Sequence, residues 1–313
     1  MFESLFYILI FPGVLFVSVF GLAAEVMDRK IYARLQNRVG PPWFQTVADF
    51  IKLLGKEDIV PIDANPRMFR IAPLFALTSA VTVFLYIPLW GAQSLFSFNG
   101  DIIMVLYLLT VPTLAFFVGG WYSTSLFARI GSVRAVTQLF AYEVPLFMSI
   151  LASALLANTW SMKEIASFYT QHPYYCFFNI IGFAVALVSL LGKLEKVPFD
   201  IPEAETEIVA GIFTEYSGRL LGILRLTIDI EMVVGSALLA AVFFPVGMTL
   251  APVIGFLLFI VKVLIIVAIM ALLRTVVARL RIDQMIDFCW KYMVPMAVCQ
   301  LLMNLVLKGI LFR

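Results

Sequence analysis

Eight separate stretches of this chain are apolar for about 20 residues each, the length a helix rising 1.5 Å per residue needs to cross a bilayer core. They fall at 4–25, 70–91, 102–121, 136–157, 177–194, 226–245, 250–273 and 292–311. Inside lipid the backbone finds no water to bond, so a chain made of such runs must satisfy its peptide groups within helices. The composition agrees, with 62% hydrophobic and only 13% charged residues. The expected fold is therefore all-α: a polytopic membrane protein with eight transmembrane helices. No stretch between the runs is long and polar enough for a soluble domain, so residues 1–313 are read as one integral membrane domain. The first run has no strongly basic start and no small-residue cleavage site before Glu25, and reads as a retained helix rather than a signal peptide.

Charge placement gives the expected orientation. With eight crossings the loops form two sets, and the set 27–70, 122–135, 193–225 and 274–291 holds 18 of the 22 Lys and Arg residues. Of the rest, Lys163, Lys308 and Arg313 lie on the opposite side and Lys262 lies within a run. By the positive-inside rule the rich set is cytoplasmic, the protein sits in the cell membrane, and both termini are outside.

Other functions find little support. A net charge of +2, spread as a membrane rim, gives no reason to expect nucleic acid as a partner. Cys176, Cys289 and Cys299 are scattered without a C-x-x-C pair, so no iron–sulfur cluster or structural zinc is expected on this chain. His172 stands alone in a short outer loop and reads as a solvated surface residue. No glycine-rich phosphate loop is present, which argues against ATP-driven transport.

The most telling segment is EKVPFDIPEAETEIVAGIFTEYSGR, residues 195–219, which gathers six carboxylates: Glu195, Asp200, Glu203, Glu205, Glu207 and Glu215. Charge beside hydrocarbon is costly unless it is used or neutralised, so these acids are candidates to bind cations, relay protons or dock a basic partner. Pro198 and Pro202 break helix around Asp200. From Glu203 onward, helical spacing would set Glu203 and Glu207 on one face, where like charges raise each other's pKa toward proton-exchange chemistry. IVAGIF follows at once and would bury the segment. Asp229 and Glu231 open the sixth run and would extend an acidic path into the membrane.

Three further regions carry charge or pattern. In the first loop, Gly40-Pro41-Pro42 forbids continuous helix, and the stripe of Trp43, Phe44, Val47, Phe50, Ile51, Leu53 and Leu54 predicts a short amphipathic surface helix. That helix is either an interfacial anchor or the wall of a cavity. In the fourth run, Glu143 lies about two turns inside, with Arg134 near the start. It is either functional or structural, snorkelling to the interface or paired with Lys262. In RTVVARLRIDQ, Arg274, Arg279, Arg281 and Asp283 crowd one helix end; Arg274 fits the cytoplasmic rim, while Arg281 and Asp283 are close enough to form a pair that orders the loop.

Taken together, QNRVGP with ADFIKLLGKE (36–41 and 48–57), AYEVP (141–145), PFDIPEAETEIVAGIFTEYSG (198–218) and RIDQ with Trp290-Lys291 resemble one family. It is the NADH dehydrogenase subunit 1 family, which comprises the H subunit of bacterial respiratory complex I and its relatives in membrane-bound group 4 nickel–iron hydrogenases. The resemblance runs from the first helix to the last. One departure stands out. Complex I members carry an extended repeated R-x-G-P stretch after the first helix, whereas here a single Arg38-Val39-Gly40-Pro41 runs into Pro42-Trp43, as in the hydrogenase-type relatives. That stretch helps build the quinone entrance, so its shortening shifts the expectation toward a hydrogenase or a sulfur-reducing complex.

The resemblance implies a non-catalytic anchor and coupling subunit of an oxidoreductase complex. Its partners would be an iron–sulfur small subunit, a nickel–iron-hydrogenase-like large subunit and antiporter-like membrane subunits, all redox centres lying on those partners. The ion path it implies runs through Glu143, Asp200, Glu203, Glu205, Glu207 and Glu215, with Asp229, Glu231 and Lys262 extending it. Arg134, Arg274, Arg281 and Asp283 would pair with or tune these groups, and Arg34, Arg38, Gly40, Pro41 and Phe50 would help seat the peripheral arm. Two readings compete: a quinone-binding subunit of a complex I-like NADH or ferredoxin dehydrogenase, and a stand-alone secondary cation transporter. The latter lacks the paired broken helices of many transporters.

Overall fold

A computed structural model describes residues 2–90, 94–247 and 251–311; within them the side chains of Phe2, Glu3, Ser4, Glu205, Thr206 and Leu311 lie outside the description. The first crossing is made by α1 (Phe2–Leu9) and α2 (Val14–Leu35), and α3 (Gln45–Leu54) lies in the loop after it. Then come α4 (Pro66–Tyr86), α5 (Asp101–Trp121) and α6 (Leu126–Ala157). The short helices α7 (Met162–Gln171) and α8 (Tyr174–Phe178) lead into α9 (Ile180–Lys193), and one turn, α10 (Glu205–Ile208), sits within the acidic segment. α11 (Gly218–Phe243), α12 (Pro252–Val276), α13 (Ile282–Phe288) and α14 (Val294–Leu311) complete the chain, α13 and α14 joined through a π-turn. Seven helices among the described residues are long and apolar enough to span a bilayer, and the shorter apolar helix α9 gives an eighth crossing. The protein is a membrane-embedded, polytopic helical bundle.

The helices overrun the apolar runs at one end. α2 continues to Leu35, α6 begins at Leu126 rather than near 136, and α11 begins at Gly218 rather than near 226. Hydropathy marks where lipid ends, whereas a helix continues for as long as its polar side chains find partners, and here they pair with one another above the membrane. Helix starts follow local chemistry. At α4, Pro66 occupies the first helical position and Asn65 Oδ1 accepts from the backbone N–H groups of Arg67 (3.2 Å) and Met68 (3.4 Å). At α11 the cap comes from a distant loop: Asp58 Oδ1 accepts from Arg219 N at 2.7 Å and Leu220 N at 3.4 Å, while its Oδ2 pairs with the Arg219 guanidinium at 2.9 Å.

α11 is the axis of the bundle, with Ile230, Met232, Val233, Ala237 and Ala240 fully enclosed. At the charged end of the bundle the acidic segment folds back between α6, α9 and α11. Gly211 sits at φ +49°, where an added Cβ would come within 1.8 Å of the Pro202 carbonyl oxygen, so the return turn requires glycine. Gly131 of α6 lets that backbone lie flat against the helix, because a Cβ there would stand 2.8 Å from Ile212 N. Gln138 of α6 then donates through Nε2 to the carbonyls of Gly192 (2.7 Å) and Phe199 (2.8 Å), tying the end of α9 to the start of the segment.

Candidate functional site: a charged crypt over a buried ion pair

The folded acidic segment, α2, α3 and α11 enclose a cavity of about 400 Å³. Its wall carries Glu25, Asp49, Glu195, Asp200, Glu203 and Asp229 against Arg29, Lys196, Arg225 and Arg274, with apolar cover from Phe50, Leu53 and Leu194. Four of these ten groups come from the acidic segment or the turn before it, Asp49 comes from the surface helix α3, and the other five are carried by α2, α11 and α12.

Most charges are matched. Lys196 is gripped by Glu25 at 3.0 Å and by Asp28 at 2.7 Å, and Arg274 also binds Asp28 while stacking over the Tyr32 ring at 4.7 Å. Arg29 links Glu25 (2.7 Å) to Asp49 (3.7 Å), which joins the surface helix α3 to the buried cluster. Arg225 holds Glu203 at 3.0 Å, Arg279 holds Asp200 at 2.8 Å and Arg134 holds Glu207 at 2.6 Å. Deeper in the bundle Lys193 and Glu231 form an ion pair of 2.7 Å, only 3% and 2% exposed as residues. Glu195 has no ion pair and no side-chain hydrogen bond among the described residues, and its Oε2 is buried.

The environment moves several of these groups. Burial pushes the Glu195 carboxyl up to about 8, assisted by the carboxylates of Glu203 and Glu231 and opposed by Lys193. Burial also raises Asp200, outweighing its Arg279 partner. Desolvation pulls Lys196 down, but the carboxylates of Glu25 and Asp28 more than reverse this and leave it raised. Glu207 is lowered by its hydrogen bond from Arg134.

Of the residues expected from sequence, the crypt gathers Asp200, Glu203, Asp229 and Arg274, and the Glu231 carboxylate lies just below it. Arg134 takes its expected role as a partner of the acids. Several placements differ. Glu203 and Glu207 do not share a helical face: the α-helical turn begins at Glu205, after Ala204 in a non-helical conformation, and the two carboxylates point to separate arginines. The cause is the backbone on either side: Ala204 at φ −39°, ψ 83° and Val209 at φ +64° lie outside the helical region and limit the helix to a single turn. Glu143 and Lys262 do not meet. Lys262 reaches the Val246 carbonyl beyond the end of α11, and Glu143, half-buried on α6, makes no ion pair among the described residues. Glu143 also lies well inside α6, because that helix begins at Leu126, far ahead of its apolar run. Arg281 and Asp283 make no ion pair among the described residues; instead Gln284 Oε1 accepts from Arg281 N at 3.1 Å, and Arg281 and Asp283 line a separate groove of about 190 Å³ beside Glu207. Glu215 is half-buried and unbonded among the described residues, and the Glu205 side chain lies outside them.

The first loop forms the expected helix, and its role as a cavity wall is the one the geometry realises. Phe50, Leu53, Thr46 and Asp49 line the crypt, and Thr46 Oγ1 donates to the Leu22 carbonyl at 3.3 Å. Phe50 therefore faces inward, while Trp43 is 73% exposed. Arg34 and Arg38 are exposed, and Pro41 follows Gly40, whose φ of +75° turns the chain over Ala33. His172 is exposed, as expected for a surface residue. The residues not foreseen are Glu25, Asp28, Arg29, Lys193, Lys196 and Arg225. A signal existed: Glu25 and Asp28, spaced i, i+3 at the tail of an apolar run, and Lys193 closing another.

An eight-crossing membrane protein with an ion-paired crypt at one end is the class that fold and site define. The chain belongs to the NADH dehydrogenase family, whose model matches residues 7–305. It is 36% identical to the H subunit of the NADH-quinone oxidoreductase of Dehalococcoides mccartyi, covering 96% of this chain and 85% of that protein. It is 32% identical to the protein of the same name from Bacillus thuringiensis, covering 99% and 95%. In structure it is similar to a chain of the membrane-bound sulfane sulfur reductase, an archaeal respiratory membrane complex, with a TM-score of 0.84, 26% identity and coverage of 93% of this chain and 96% of that one. The chain is thus a membrane subunit of the complex I-like type.

Proposed function

We propose that this chain is the membrane-anchor and coupling subunit of an ion-translocating oxidoreductase of the hydrogenase or sulfur-reductase type. It would seat a peripheral arm, made of an iron–sulfur small subunit and a nickel–iron-hydrogenase-like large subunit, on antiporter-like membrane subunits that move protons or sodium ions. The redox centres belong to those partners. The charged end, with the crypt and the surface helix α3, would face the cytoplasm and the arm.

The observation that carries this reading is the series of ionisable groups from the loop into the membrane: Asp200 and Glu203 at the crypt wall, then Glu195, then the Lys193–Glu231 pair within the bundle. Such a series can answer a charge change in the arm by exchanging protons or partners, since Asp200, Glu203 and Glu231 are already paired with cations and Glu195 lies between them. The short Arg38-Val39-Gly40-Pro41 stretch and the likeness to the sulfane sulfur reductase chain favour the hydrogenase or sulfur-reductase type. A quinone-binding role is the second reading, favoured by the names of the relatives and by a cavity of about 400 Å³. The density of charge on the crypt wall speaks against it, since a quinone ring would have to displace ion-pair hydration without offering charge in return.

The test uses the native complex. Glu203→Gln and Asp200→Asn, singly and combined, should reduce ions moved per electron while the complex stays assembled. Full coupling in all three variants would refute the coupling role. Nickel copurifying with the complex supports the hydrogenase type, and reduction of an added quinone by the purified complex favours the second reading.

A further inference from the structure

Two carboxyls of the crypt wall, Glu195 and the less enclosed Asp229, have no ion pair among the described residues, and Glu195 is the buried one. Each neighbouring cation is already engaged: Lys193 with Glu231, Arg225 with Glu203, and Lys196 with Glu25 and Asp28. Glu195 lies among them, 8% exposed, with no ion pair and no donor to its buried Oε2 among the described residues. An ionised carboxylate left so would be among the costliest groups in the molecule.

Its position is also unusual in the backbone. Glu195 adopts φ +50°, in the left-handed region that a residue with a Cβ rarely enters. It sits directly after the end of α9, where its N–H reaches back to the Gly192 carbonyl at 3.3 Å. That turn holds the side chain at the boundary between the crypt, which it lines, and the protein interior. The positive φ belongs to the turn that ends α9, in which Lys196 N also reaches back to the Leu191 carbonyl at 3.4 Å. The groups facing it come from every side: Lys193 from α9, Glu203 from the acidic segment, Arg225 and Glu231 from α11, and the Tyr142 hydroxyl from α6, which is bonded to Thr113 at 3.3 Å.

We propose that Glu195 is the resident proton carrier of the crypt, taking a proton from crypt water and passing it to Glu231 when Lys193 swings away. The step balances simply. Hydronium in the crypt gives its proton to a Glu195 carboxylate oxygen, leaving water and a neutral acid. That acid then releases the proton to the Glu231 carboxylate and becomes the anion that receives Lys193. The raised titration of Glu195, up to about 8, is what such a site needs near neutral pH. The passing step rests on the coupling role proposed above; the holding of a proton does not.

The experiment is infrared difference spectroscopy of the intact complex in lipid, scanned over pH, for wild type, Glu195→Gln and Glu195→Asp. The expected result is a deuterium-sensitive carbonyl band of a neutral buried carboxyl in the wild type near neutral pH. It should be absent in Glu195→Gln and present but shifted in Glu195→Asp, which also serves if the Gln variant does not assemble. A band that persists in Glu195→Gln overturns the proposal, and so does a band that sodium abolishes when it replaces choline, since the crypt would then hold a metal cation. Ion movement per electron is measured in parallel. Loss of the band with full coupling overturns the passing step, whereas failure of the Glu203 and Asp200 variants to affect coupling would count against the coupling role and leave the band assignment standing.

Discussion

Cutting the Lys193–Glu231 pair tests whether this buried contact is a fixed brace or one link of a shared charge system. At 2.7 Å and an effective dielectric near 20, two unit charges attract by about 6 kcal/mol, most of which offsets the desolvation of groups as enclosed as these. Removing one member leaves the other buried and uncompensated, at a cost of roughly 3–5 kcal/mol. The surroundings make the two deletions unequal. In Glu231→Gln, Lys193 still has Glu195 close at hand and can transfer its charge to it. In Lys193→Met, both Glu231 and Glu195 lose their nearest cation. Lys193→Met should therefore fall at the upper end of that range and Glu231→Gln at or below the lower end. The double variant should recover most of the loss. The assay is the thermal midpoint and steady-state amount of the assembled complex, with a double-mutant cycle to extract the coupling. Equal costs for both single variants, or a coupling within about 0.5 kcal/mol of zero, would refute the reasoning.

Two further outcomes follow from the same geometry. The Glu195 carboxyl is raised from an ordinary 4.5 to about 8 by burial, so the folded protein holds a proton there that the unfolded chain gives up. The associated stability is present below about pH 4.5 and is lost as pH rises toward 8; thermal midpoints measured across that window should fall with rising pH in the wild type and fall less steeply in Glu195→Gln, and parallel curves would contradict the assignment. Asp58→Ala removes the distant cap and the Arg219 ion pair at the start of α11, so hydrogen exchange at Arg219 and Leu220 should accelerate and stability should drop by about 1–2 kcal/mol; unchanged exchange there would show that water caps the helix equally well.

The sequence discloses what depends on local composition and conceals what depends on pairing. Eight apolar runs and the stripe from Trp43 to Leu54 lead directly to eight crossings and the surface helix, because lipid imposes one requirement on every residue of a run. The acidic segment is legible as a site for the same reason: six carboxylates next to apolar sequence need an explanation. Their partners are not legible. Glu203 and Glu207, four apart, suggest a shared helical face, yet the non-helical backbone at Ala204 and Val209 limits the helix to a single turn, and they go to Arg225 and Arg134. Glu143 and Lys262 suggest a pair because each lies in an apolar crossing, but apolar sequence around a charge says only that a partner is needed and never which one. The real buried pair joins Lys193 and Glu231, which read from sequence as a rim lysine and a helix-start acid. Hydropathy also misplaces helix ends: α2, α6 and α11 run well past their apolar runs, and charges on the overruns, such as Asp28, Arg29 and Arg225, are carried by helices that do not stop at the lipid boundary. Where a helix overruns its apolar run, the charges on the overrun are the first candidates for a buried network: here Arg29 and Arg225 line the crypt, and Asp28 anchors Lys196 and Arg274 of its wall.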